Sequence, residues 1–86
     1  MNIEHKDTKK FLKGMPVFMA EELLDLYKIK SPYKEILIAT CVKDLHQFEA
    51  MEWLNRTYNI NISFRTFTRK HAIALERFRT AHTMYR

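Results

Sequence analysis

Two arginines four residues apart, Arg65 and Arg69, are the side chains of this sequence best suited to recognise another molecule. Residues four apart in a helix lie on the same face. The planar guanidinium group of arginine can bond two acceptors at once, as it does on phosphate and on the edge of guanine. Thr66 and Lys70 directly follow the two arginines and add a hydroxyl and a point charge on the adjoining strip. This spacing predicts a helical surface that contacts double-stranded DNA.

Hydroxyl and basic side chains on either side of the two arginines extend this surface. A serine placed before them can cap the helix, and the first amides of a helix are suited to meeting phosphate. The predicted DNA-binding residues are Ser63, Arg65, Thr66, Thr68, Arg69 and Lys70, with Arg56, Arg77 and Arg79 widening the footprint. Four lysines near the N-terminus are expected to wrap a neighbouring groove, namely Lys6, Lys9, Lys10 and Lys13.

The charge of the chain is concentrated in its C-terminal part. The formal net charge of the 86 residues is +5. Residues 1–55 hold eight Lys and nine Asp or Glu, whereas residues 56–86 hold six Arg, one Lys and one Glu. All arginines therefore lie in the second stretch, which carries +6 against −1 for the first. A basic half on a nearly neutral half is typical of a protein that binds a polyanion. A solvated basic tail is the alternative interpretation.

Other kinds of chemistry find little support in the sequence. His46 and Glu49 have a helical metal-ligand spacing, but no second pair is expected to converge on them. The single glycine is too few for a phosphate-binding loop, and no combination of nucleophile, base and acid is visible. We therefore expect neither an enzyme nor a protein with a metal or another cofactor. The single cysteine, Cys41, indicates a reducing compartment, and we expect a cytoplasmic protein because no segment resembles a signal peptide or a membrane span.

The elements that must position these residues are predicted to be helices. One glycine and two prolines provide few turns, and apolar residues recur at helical spacing. We predict an all-α fold with about four helices, near 16–29, 32–43, 45–57 and 63–81, in one domain spanning 14–86. Residues 1–13 are predicted to form a flexible N-terminal arm. A helix-turn-helix is expected over residues 44–79.

Local signals set the expected starts and inner faces of these helices. Three positions resemble a helix start: Ser31, which is followed by Pro32, then Asp44, and finally Ser63. The spacing also predicts one apolar face for each amphipathic helix. These faces are Met19, Leu23, Leu26 and Tyr27 in the first, Leu45, Phe48, Met51 and Leu54 in the third, and Phe67, Ala74 and Phe78 in the last.

The run from Ile62 to Arg69, ISFRTFTR, resembles the start of the recognition helix in helix-turn-helix regulators. It is similar to sigma-factor promoter-reading domains and to small bacterial and phage repressors. The wider layout over residues 12–79 resembles the PapB family of fimbrial operon regulators and the TrfB/KorA-type plasmid repressors. The points of similarity are Leu12, Gly14, Met15, Ala39, Asp44 and Glu49. The resemblance implies a transcriptional regulator whose last helix enters the major groove.

The connection before that helix departs from the simplest form of the motif. Residues 54–62 are longer than a tight turn, and the usual glycine is absent. Asn55, Asn59 or Asn61 can take the left-handed conformation in its place.

Two functions remain open at this point. The first is a sequence-specific, double-stranded DNA-binding regulator, acting as a homodimer or higher homo-oligomer. The second is a protein-interaction module with a helix-turn-helix shape, docking on RNA polymerase or another host protein through the first helix and Trp53. The acidic cluster Glu21, Glu22 and Asp25, which would repel DNA, favours the second.

Overall fold

Residues 5–84 form a bundle of five α-helices. The computed structural model describes residues 5–84, and their side chains from residue 8 onward. The helices are α1 (His5–Leu12), α2 (Val17–Leu26), α3 (Tyr33–Leu37), α4 (Gln47–Tyr58) and α5 (Phe64–Met84), and a π-helical segment, Ile38–Val42, continues α3 without a break. Residues 5–84 contain no β-strand, which confirms the all-α prediction. None of their helices is long and apolar enough to cross a membrane.

The core lies between α5 and the continuous helix of α3 and the π-helical segment. Phe67, Ala74 and Phe78 are fully buried on one stripe of α5, as their spacing predicts. Opposite them, all residues from Ile36 to Cys41 are buried. The Thr40 hydroxyl donates to the Ile36 carbonyl at 2.8 Å, and such a bond competes with the regular backbone pattern of an α-helix. The amide of Lys43 then bonds the carbonyl of Ile38, five residues back.

The prediction of a flexible arm over residues 1–13 is wrong for the residues of that range that the structure describes. Residues His5–Leu12 form α1, which packs against the π-helical segment and α5. Thr8 is 1 % exposed and Leu12 is fully buried, so this helix belongs to the core. The boundary expected between an arm and a domain starting at residue 14 is therefore absent here.

Helix α2 turns a different face inward from the one its spacing predicts. Ala20 and Leu24 are fully buried, whereas Met19 and Leu26 are exposed and Leu23 is half-buried. Ala20 is small and lets α2 approach the π-helical segment closely, and Leu24 fills the space beside it. Both faces of α2 carry apolar residues, so hydrophobic spacing alone does not identify the inner one.

Two of the predicted helix starts are also corrected. The Ser31 hydroxyl bonds the Glu35 carboxylate instead of a backbone amide, and α3 begins after Pro32. Asp44 does not cap α4, which begins after His46. Its backbone is left-handed, with φ at 60°, and its carboxylate pairs with Lys9 at 2.5 Å and with Lys13 at 3.2 Å.

Candidate nucleic-acid interface

The connection between α4 and α5 is fixed by one side chain, Asn55. Its Nδ2 donates to the carbonyl of Ile62 at 3.1 Å, and its Oδ1 accepts from the amide of Ile62 at 3.0 Å. We call this pair of hydrogen bonds the Asn55 clamp. It ties the last turn of α4 to the residue that precedes the capping serine of α5. The position at which α5 starts is therefore set by α4.

Asn59 turns the chain out of α4. Its φ of 52° and ψ of 48° are left-handed, and its amide bonds the carbonyl of Asn55. Asparagine adopts this conformation more readily than most residues because its short polar side chain bonds locally. Asn55, Asn59 and Asn61 are the residues expected to supply a left-handed position in this connection, and Asn59 adopts it.

Ser63 caps α5, as predicted. Its hydroxyl accepts from the amide of Thr66 at 3.2 Å and donates to the Thr66 hydroxyl at 3.1 Å. The Ser63 carbonyl accepts the amide of Phe67 at 2.9 Å, which closes the first turn. The amides of Phe64 and Arg65 lie before the first intrahelical bond, so they point out of the helix end, where an anion is favoured.

Arg65 and Arg69 lie on the outer face of the first turns of α5. Both side chains are exposed, and they are turned away from the buried stripe that starts at Phe67. Among the described residues neither guanidinium forms an ion pair with a carboxylate. Their bonding capacity is therefore available to a ligand.

Lys70 and Arg77 are held on a different side of α5. The Lys70 Nζ lies 5.5 Å from the ring centroid of Tyr33, and the Arg77 Cζ lies 4.3 Å from it. Both distances allow a cation–π interaction with the same ring. Sequence reasoning placed Lys70 on the strip beside Arg69. It missed the contact of Lys70 and Arg77 with one tyrosine ring, because that contact joins distant parts of the chain.

The remaining predicted residues occupy the flanks of the interface. The Thr68 hydroxyl donates to the carbonyl of Arg65 at 2.9 Å, so it is already used within the helix. Arg79 is half-buried and pairs with Glu76 one turn away. Arg56 is exposed on α4, directly after Asn55. The structure thus brings Ser63, Arg65, Thr66 and Arg69 together and places the others around them.

Two half-exposed aromatic rings border the start of α5. Phe48 is 53 % exposed and Phe64 is 42 % exposed, and their ring centroids lie 5.6 Å apart. They line a cleft of about 490 Å³ between the first turns of α4 and α5, which also includes Lys9 and Thr68. The spacing assigned Phe48 to the core, which is wrong because Ala50, Met51 and Leu54 fill that face of α4.

Charges elsewhere modify the electrostatics of this end of the molecule. Two lysines of the expected arm, Lys9 and Lys13, are paired with Asp44, and their hydrogen bonds lower the pKa of that carboxyl. Glu49 and Glu52 are exposed on α4. Positive potential on this surface therefore comes from α5 and Arg56 and, because two lysines face one carboxylate, from the net positive charge that remains at the end of α1.

His46 and Glu49, the one pair with metal-ligand spacing, lie exposed at the start of α4. Within the described part of the chain, no three His, Cys, Asp or Glu side chains gather in a way that could hold a metal ion.

Comparisons with protein-family models, with curated proteins and with solved structures find no match to this chain.

Proposed function

We propose that this protein is a sequence-specific, double-stranded DNA-binding transcriptional regulator that uses the first turns of α5 as a recognition surface. The observation that carries the proposal is the exposed, unpaired Arg65 and Arg69 on one face of a capped helix end. The Asn55 clamp holds this end in a fixed position relative to α4. A helix end that is already held in place loses less conformational entropy on binding, which favours specific over diffuse contacts.

The two arginines are assigned to base recognition. A guanidinium can bond guanine O6 and N7 together, and this pair is distinctive in the major groove. The first turns of a helix are the part that enters the groove in helix-turn-helix proteins. Ser63 caps the helix end, and the Thr66 hydroxyl, which accepts from Ser63 and keeps its own proton to donate, is assigned to phosphate together with the free amides of Phe64 and Arg65. The positive end of the helix dipole also attracts phosphate.

The flanking cations are assigned to the DNA backbone. Arg56 lies beside the clamp, and Lys70 and Arg77 lie along one side of α5, so they extend the positive surface past the recognition turns. Arg79 contributes less, because Glu76 offsets its charge. These contacts set the register of the protein on the duplex and the salt dependence of binding without reading sequence.

A homodimer is part of the proposal. Two copies related by a two-fold axis can present two α5 helices to half-sites about one helical turn of DNA apart. Light scattering with and without a duplex of two half-sites tests this. A single protein per duplex at saturation counts against the dimer but not against the recognition surface.

The decisive experiment is titration of variants against DNA. A preferred duplex is first selected from random sequence, and its affinity is compared with that of a scrambled duplex by fluorescence anisotropy. Each of the variants Arg65→Ala and Arg69→Ala should lose about 1–3 kcal/mol of binding free energy on the selected duplex and much less on the scrambled one. Lys30→Ala, which removes an exposed charge far from α5 in sequence, is the matched control and should weaken both duplexes equally and slightly. Unchanged specific affinity after loss of both arginines would refute the assignment.

A further inference from the structure

Helix α2 carries an apolar stripe that the fold leaves exposed. Met19 and Leu26 are seven residues apart and lie on one side of the helix, whereas Leu23 between them is half-buried against the core. Met19 is 47 % exposed and Leu26 is 57 % exposed, and Phe18 beside them is 65 % exposed. The helix already anchors itself through Ala20 and Leu24, so the stripe is not needed for folding. A stripe with this spacing matches the groove of a second helix packed along it.

Acidic residues border this stripe. Between Val17 and Leu26, α2 contains Glu21, Glu22 and Asp25 and no lysine or arginine, although the whole chain is basic. Asp25 is paired with Lys34 at 3.0 Å. Within the described residues, Glu21 and Glu22 form no ion pair. Lys34 is close enough to Glu21 to interact with its charge, so Glu22 is the carboxylate of this border without a cation beside it in the part of the chain that the structure describes. An exposed apolar stripe with a negative border is complementary to a surface that is apolar and positive.

The C-terminal end of α2 lies at the far end of α5 from the two recognition arginines. The Tyr27 hydroxyl is hydrogen-bonded to Nδ1 of His82 at 2.8 Å, and the Tyr27 ring also contacts Phe78. His82 is roughly 25 Å along the α5 axis from Arg65, at about 1.5 Å per residue. The Tyr27 end of α2 is therefore about three Debye lengths from Arg65 at physiological salt.

We infer that the α2 stripe is a docking site for a basic amphipathic helix of another protein. Leucine-like side chains of that helix would lie on Phe18, Met19 and Leu26, with lysine or arginine opposite Glu21 and Glu22. A second copy of α2 does not fit this role, because antiparallel packing of two such helices brings Glu22 against its own counterpart. The site is independent of the DNA-binding proposal and leaves the α5 surface free.

A designed peptide tests the chemistry of the partner. The probe is a peptide of about fifteen residues with leucines at helical spacing and lysines elsewhere, titrated into the full chain by calorimetry. A peptide with the same leucines and with glutamate in place of lysine is its control. We expect the lysine peptide to bind at least about tenfold more tightly, and added salt to reduce the difference. Equal affinity of the two peptides would overturn the charge argument.

Variants locate the site. Leu26→Ser should weaken the lysine peptide about tenfold, because the leucine is buried only in the complex. Glu22→Lys should weaken the lysine peptide and strengthen the glutamate peptide. Phe48→Ser removes an equally exposed aromatic side chain from α4 and should change neither affinity.

The outcomes separate three cases. A site on α2 is contradicted if Leu26→Ser and Glu22→Lys bind the lysine peptide as tightly as the wild type does. It is also contradicted if Phe48→Ser weakens the lysine peptide as much as the α2 variants do. A dimer in light scattering that Leu26→Ser converts to a monomer identifies a second copy as the occupant and also contradicts the proposal. Since Leu26 lies outside the recognition surface, Leu26→Ser should leave DNA affinity unchanged, so failure here is distinct from failure of the DNA-binding proposal.

Discussion

Removing the Asn55 clamp is the sharpest test of how the structure positions α5. Asn55→Ala deletes two side-chain hydrogen bonds to Ile62, both in a partly buried place. Each contributes about 0.5–1.5 kcal/mol net, so the free energy of unfolding should fall by about 1–3 kcal/mol. For a domain of this size, each kcal/mol lowers the melting temperature by about 4–8 °C. Urea unfolding followed by circular dichroism measures the change.

Two further variants make this result specific. Asn55→Asp keeps the acceptor for the amide of Ile62 but places negative charge near its carbonyl, so its stability should be intermediate. Asn61→Ala removes an exposed asparagine from the same connection and should cost much less. If Asn55→Ala has the same urea midpoint as the wild type, the clamp does not hold the connection as we argue. The same conclusion follows if Asn61→Ala is as destabilising as Asn55→Ala.

Three other predictions concern the rest of the molecule. Lysine hydrogen bonds lower the pKa of Asp44, so its stabilising effect is present above about pH 4 and is lost as the pH falls through that lowered pKa. Urea midpoints measured between about pH 5 and pH 2 should therefore vary less in Asp44→Asn than in the wild type. Tyr33→Ala should lower the free energy of unfolding by about 0.5–1 kcal/mol for each of the two cations that lie on the ring. Tyr33→Phe keeps the ring and should retain most of this stability, and an equal loss in both variants would show that the hydroxyl is responsible instead. Burial raises the pKa of the Cys41 thiol, so a thiol reagent at about pH 8 should label native protein far more slowly than unfolded protein, and equal rates would show that Cys41 is accessible.

Helix α5 could be predicted almost completely because its determinants are local. A capping serine and the stripe of Phe67, Ala74 and Phe78 lie within one stretch of sequence, and both are found as expected. The same local information identified an asparagine-rich turn before it. Sequence spacing does not predict which asparagine contacts Ile62. It therefore could not assign the clamp to Asn55 and the left-handed position to Asn59.

Features that depend on distant residues were not predictable in this way. Helix α1 is highly charged, and its burial rests on Thr8 and Leu12 and on two lysines that meet Asp44, more than thirty residues later in the sequence. Likewise, Lys70 and Arg77 are drawn to Tyr33, more than thirty residues earlier in the sequence. In α2, two apolar faces compete for the core, and the small size of Ala20 decides between them.

The π-helical segment makes the length of the chain between Tyr33 and Lys43 consequential. Its amide-to-carbonyl bonds reach five residues back, so one turn holds about one residue more than a turn of α-helix. A regular α-helix rotates by about 100° per residue. Deleting one residue from Ile38–Val42 would restore a regular helix and leave the residues after it close to their present phase. Deleting one residue where the helix is already regular would instead turn everything after it by that angle, and the residues leading to α4 would then turn away from the core. In relatives with an unbroken α-helix here, we expect a sequence one residue shorter and the same inward positions on either side of the deletion.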